Sequence, residues 1–170
     1  MDTFLAVASR REVREYADRP IPDDVERRIL DAGRLSGSSQ NRQSWHFVVI
    51  EDGELRKQVA DAVYAPENIL GAALVVAVAV SGKGPTSFDA GRAAQNMLLA
   101  AWNDGVGGCP NGVKDADETA RLLELEEGER PAIILSFGYP ARPRDPESRT
   151  AEEWSGRARR KPLDEVVRRI

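Results

Sequence analysis

The chain has 170 residues, 41% hydrophobic and 31% charged, with a formal net charge of −4, a composition expected of one globular domain with room for an appended tail. A single cysteine, Cys109, and a single histidine, His46, exclude a disulfide framework, a multi-cysteine zinc site and a multi-histidine metal centre. The longest apolar run, Ala72–Val80, is nine residues, far short of the ~20 that span a bilayer, and Met1–Phe4 lacks the basic start of a signal peptide. A cytoplasmic protein with no membrane or nucleic-acid partner is the expectation.

Asp2 caps a short helix bearing Phe4, Leu5, Val7 and Ala8. The charged segment Ser9–Tyr16 follows, and Ile21-Pro22-Asp23-Asp24 opens a second helix with Val25, Ile29 and Leu30 at helical spacing. Gly33 and Ser36-Gly37-Ser38-Ser39 are expected to end it. Trp45–Ile50 reads as a strand, Gly53–Tyr64 as an amphipathic helix, and the continuous apolar run Ala73–Val80 as a buried central strand. Ser87–Asp104 reads as a long Ala-rich helix buried over much of its girth. The run Gly105–Gly112 reads as a turn, Asp115 or Asp117 as the start of a helix through Leu125, and Ala132–Phe137 as another buried strand. Beyond Tyr139 the prolines at 140, 143 and 146 and dense charge give little periodicity as far as Pro162, a stretch long enough to need another surface to lie on. About five helices and three or four strands imply a one-domain α+β or α/β sandwich.

Several motifs fail on context. Gly82-Lys83-Gly84 after a strand lacks the glycine at 77 and the hydroxyl at 84 of a phosphate-binding loop. Gly105-Val106-Gly107-Gly108 follows a helix, whereas a dinucleotide fingerprint follows a strand. Cys109 and His46 lack an orienting third group for nucleophilic catalysis. Arginine is more suggestive: of the 24 basic residues 20 are arginine, and nine basic residues lie between Arg142 and Arg169. Arg10, Arg11 and Arg14 stand close together and suit either surface pairing with Glu12 and Glu15 or a phosphate-bearing ligand. The loop Gly37–Trp45 is rich in amide and hydroxyl groups that both donate and accept, although by composition alone it is a turn.

Six segments in this order resemble the FMN-dependent nitroreductase family. They are Arg10-Arg11-Glu12-Val13-Arg14-Glu15-Tyr16; Gly37–Val49 with Ser38, Asn41, Gln43, Trp45 and Phe47; and Asp89-Ala90-Gly91-Arg92-Ala93-Ala94-Gln95-Asn96. The others are Gly105-Val106-Gly107, Gly138-Tyr139-Pro140 and Arg160–Val167. The resemblance implies an α+β fold, an α/β/α sandwich on a central mixed or antiparallel sheet, assembled as an intertwined homodimer with FMN at the interface. Residues 1–140 would form the flavin-binding domain, and 141–170 would wrap the partner subunit and return to the FMN phosphate. By position, Arg10, Arg11 and Arg160 would hold that phosphate, with Arg14 at the pyrimidine edge. Ser38, Ser39, Asn41 and Gln43 would approach from the other subunit, and Asn111 and Gly112 would meet the ring near N5. Asn68 matches the family's asparagine or lysine before the central strand only loosely.

The implied activity is ping-pong hydride transfer from NADH or NADPH through FMN to a small-molecule acceptor such as a nitroaromatic or quinone. No side chain is expected to act as a general acid. A non-redox flavin-handling protein and an oxygen-dependent flavin-modifying enzyme are the alternatives. Glu12 stands where the family often has serine, Ser44 replaces its usual proline, and Ser81–Phe88 is very short where larger members insert pocket-wall helices.

Overall fold

The computed structural model describes all of residues 1–170. Four strands, β1 (Trp45–Val49), β2 (Leu74–Ser81), β3 (Gly107–Asn111) and β4 (Glu129–Gly138), form one sheet in the order β1-β2-β4-β3. Every pairing is antiparallel, so the expected mixed-or-antiparallel sheet resolves to the latter. The register of β2 on β4 shifts between Val78 and Ala79, where Pro131 faces Ala79 without an N–H to offer.

The alternating side chains of β2 feed two cores. Leu74, Val76, Val78 and Val80 face α2 (Asp23–Arg34) and α5 (Thr86–Asn103), where Ile29, Ala93, Met97, Leu98 and Ala101 are buried. Val75 and Ala77 face α3 (Gly53–Asp61), α4 (Pro66–Leu70) and α6 (Ala116–Leu122), among Val59, Val63 and Ile69. The strand is buried on both sides, which its unbroken apolar run required.

Local chemistry sets the helix ends. Asp2 Oδ1 accepts from the N–H groups of Phe4 and Leu5 at 2.9 and 3.1 Å to start α1 (Thr3–Ser9). Asp115, not Asp117, caps α6 by accepting from Glu118 N–H at 2.9 Å. Gly33 does not end α2 as expected; it is buried inside it, where a Cβ would collide with Met97 of α5. The expected turn at 105–112 contains strand β3, and Asn68 lies on the short helix α4, which has no strong sequence signal. The tail is also built: Thr150 and Glu153 form a reciprocal capping box at the start of α7 (Ala151–Arg157), and α8 covers Leu163–Val166.

Candidate flavin site

Residues 10–17 leave α1 in extended form and are stitched to the sheet edge. Val13 N–H donates to Gly108 O at 3.1 Å, Ala17 N–H to Tyr139 O at 2.8 Å, and Ala141 N–H to Glu15 O at 3.0 Å. Two glycines permit this approach: a Cβ on Gly107 would collide with Val13, and one on Gly138 would stand 2.8 Å from the Tyr16 ring. The Gly-Val-Gly and Gly-Tyr-Pro motifs therefore seat the arginine segment.

Arg10 Nη2 pairs with Glu12 Oε1 at 2.8 Å, while Arg10 Nη1 and Glu12 Oε2 are buried without partners. Arg11 donates to the carbonyl oxygens of Ala8, Arg10 and Trp154 at 2.7, 2.8 and 3.0 Å, and lies over the Trp154 ring. Burial first, then the charges of Arg160 and Arg10, hold its pKa below the usual arginine value. Three like charges thus gather at the junction of α1 and α7, an arrangement that favours an anion.

Beneath this segment is a buried polar chain. Asn68 Nδ2 donates to Asn111 Oδ1 at 2.8 Å, and Asn111 Nδ2 faces the oxygens of Cys109, Ile134 and Ser136 at 3.0–3.2 Å. The Tyr16 hydroxyl is 3.0 Å from Ser136 Oγ and donates to Val13 O at 2.7 Å. Asn68 Oδ1 is buried with no donor opposite it. Cys109, buried on β3, has its thiol pushed up by desolvation and then by Glu12; Arg14 and Arg10 oppose the shift. Burial likewise raises the Tyr16 phenol far above its ordinary value of 10.0. Gly112 accepts from Tyr64 N–H at 3.2 Å, and Tyr64 itself is largely exposed.

The loop Ser38–Gln43 forms a second group. Ser38 Oγ accepts from Gln43 N–H at 2.9 Å, Gln43 Nε2 donates to Asn41 O at 3.3 Å, and Gln40, Asn41 and Gln43 have φ of 53, 54 and 51°. Helix α5 holds the loop and its approach: buried Asp89 Oδ2 accepts from Ser39 N–H at 3.0 Å, and Asn96 Nδ2 donates to Ser36 Oγ at 2.7 Å. Asp89 and Asn96 were not among the expected site residues. Their place in the helix motif was visible, but their long-range partners were not.

Within one chain, then, Arg10, Arg11 and Arg160 converge, as do Asn68 and Asn111, with Arg14 acting on Cys109 between them. No hydrogen bond or ion pair joins them to Ser38, Ser39, Asn41 or Gln43.

The family model described as nitroreductase family matches residues 7–83 and 85–139. The chain belongs to the nitroreductase family. An Archaeoglobus fulgidus relative with the provisional name NADH dehydrogenase/NAD(P)H nitroreductase is 32% identical over 149 residues, 82% of this chain and 86% of its own. A Methanothermobacter thermautotrophicus protein of the same name is 29% identical over 83% of this chain and 78% of its own. Among solved nitroreductase structures, a Clostridium difficile 630 family protein superposes with a TM-score of 0.81 at 24% identity, covering 99% of this chain and 98% of that one. The Vibrio harveyi NADPH:FMN oxidoreductase complexed with NAD+ gives 0.81 at 23% identity over 96% and 75%. No helix of the chain is long and apolar enough to cross a membrane.

Proposed function

We propose that this member of the nitroreductase family is an FMN-dependent NAD(P)H oxidoreductase with ping-pong exchange of donor and acceptor, the acceptor being a small oxidised molecule such as a nitroaromatic or quinone. The observation that carries the reading is a buried, unsatisfied donor, Arg10 Nη1, in a segment where Arg10 and Arg160 both act on Arg11 and where Arg10 acts on Cys109 beside the buried amides of Asn68 and Asn111. These residues fit FMN. A phosphate takes bidentate arginine donors, and the free Asn68 Oδ1 suits a ring N–H. When bound, the flavin supplies the hydride chemistry; the protein supplies position and charge.

Arg10 and Arg160 would bind the phosphate, with Arg11 locking α1 to α7 behind them through Trp154. Arg14, exposed and in no ion pair, would stabilise negative charge on the reduced ring. Asn68 and Asn111 would orient the ring, and β3 with its close-packed glycines would exclude water beneath it. Ser38, Ser39, Asn41 and Gln43 would complete the site from the partner of a homodimer. Leu163, Val166, Val167 and Ile170, all exposed in the single chain, support a partner contact for the end of the 141–170 tail, whose earlier part is fastened to its own chain by the Ala141–Glu15 and Arg11–Trp154 hydrogen bonds.

A second reading, a non-redox flavin-handling protein, is favoured by the bare four-residue link Gly82–Pro85 between β2 and α5, which offers little wall for a nicotinamide. Anaerobic mixing of the FMN-loaded protein with NADPH separates them. Bleaching of the flavin band supports the oxidoreductase; a persistent yellow colour supports the binder.

A further inference from the structure

One cavity holds two arginines, Arg142 and Arg144, that the site above leaves unused. Glu12, Val13, Arg14, Glu15, Pro140, Arg142 and Arg144 line an open pocket of about 320 Å³ beside the arginine segment. Its two walls are fastened together by the Tyr16–Pro140 bridge and the Ala141–Glu15 hydrogen bond at 3.0 Å. Arg19 adds a clasp by lying 3.7 Å above the Tyr139 ring.

Arg142 and Arg144 flank Pro143, and both line this one pocket. Arg14, Arg142 and Arg144 are exposed, and none of them takes part in an ion pair. In a chain of net charge −4, three unpaired arginines on one cavity are a local reversal of sign. The pocket also has two carboxylates. Glu12 is paired with Arg10, whereas Glu15 pairs with no cation. Arginine forks bind phosphate, and a carboxylate accepts from sugar hydroxyls, so the mixture suits a phosphorylated ribose better than a bare anion.

We propose that Arg142 and Arg144, with Glu15, bind a phosphorylated ribose of the nicotinamide dinucleotide and set the enzyme's affinity for its hydride donor. The proposal rests on the oxidoreductase reading. The phosphate is either the 2′-phosphate, present only in NADPH, or the diphosphate shared by NADPH and NADH.

Steady-state kinetics of the FMN-loaded Arg142→Ala/Arg144→Ala protein test this, with NADPH and NADH as separate donors and flavin content and thermal midpoint recorded alongside. An increase in KM of about tenfold or more for NADPH alone supports the proposal and assigns the 2′-phosphate. An increase for both donors supports it and assigns the diphosphate. Arg142→Lys/Arg144→Lys, which keeps the charge and loses the fork, should recover part of the affinity. Unchanged KM for both donors overturns the proposal, as does loss of bound FMN from a normally folded variant, which would place these arginines in the flavin site. Failure of the oxidoreductase reading looks different: the wild-type protein then takes up no FMN or is not reduced by either donor.

Discussion

The carboxylate of Glu12 engages Arg10 at 2.8 Å and leaves an oxygen of its own and a nitrogen of Arg10 buried without partners. A phosphate arriving at Arg10 therefore meets a donor already half engaged and a like charge beside it. Glu12→Gln keeps the shape and removes the charge. It should tighten FMN binding about tenfold, roughly 1.4 kcal/mol, and leave riboflavin, which has no phosphate, unchanged in a fluorescence-quenching titration. Equal affinities for FMN before and after the substitution would remove Glu12 from the phosphate site. Tyr16 gives a pH prediction. Burial raises its phenol far above 10.0; Ser136 opposes this, Cys109 and Glu12 add to it, and Arg14 opposes it. Because the folded state favours the protonated phenol, its contribution is complete below pH 10 and is lost as pH rises through the higher folded value. The thermal midpoint should fall from about pH 10 upward. Tyr16→Phe should cost about 1–2 kcal/mol near neutrality through its lost hydrogen bonds, yet show a shallower alkaline decline.

At the scale of elements, the arginine segment keeps its place because Gly107 and Gly138 leave room for Val13 and Tyr16. Gly138→Ala, whose Cβ would stand 2.8 Å from ring atoms of Tyr16, should destabilise by about 1–3 kcal/mol in denaturant unfolding and loosen the segment. Gly53→Ala, where a new Cβ meets nothing within 4 Å, is the neutral control. The same glycines show where sequence patterning stopped. Strand β2 and helix α5 were legible because burial on both faces writes itself as unbroken apolar and alanine-rich runs. Strand β3, with the sequence Gly-Gly-Cys-Pro-Asn, carries almost no strand propensity. It is a strand because Gly108 must pass bare between Leu98 and Phe137, which is a tertiary requirement. Helix α4 is only five residues long, too short for a period to emerge. The arginines of the candidate site were legible by type. The holding roles of Asp89 and Asn96 were not, because each depends on a partner at least fifty residues away.

For the whole molecule, the account divides the flavin site between two chains. Arg10, Arg11, Arg14, Asn68, Asn111, Gly112 and Arg160 come from one, and Ser38, Ser39, Asn41 and Gln43 from the other. The absence of any bond between these groups within a chain supports that division. Subunit mixing tests it. An Arg10→Ala protein and an Asn41→Ala/Gln43→Ala protein, each weak in FMN binding, should regain one intact site per heterodimer when unfolded and refolded together. No recovery on mixing, with each variant dimeric alone, would mean that each site is built within a single chain. The most direct test of the central claim is a visible-absorbance titration of the purified protein with FMN, followed by anaerobic NADPH. The account predicts one tightly held flavin per chain whose band bleaches on addition of the donor. A spectrum identical to free FMN, with all colour lost on desalting, would contradict it.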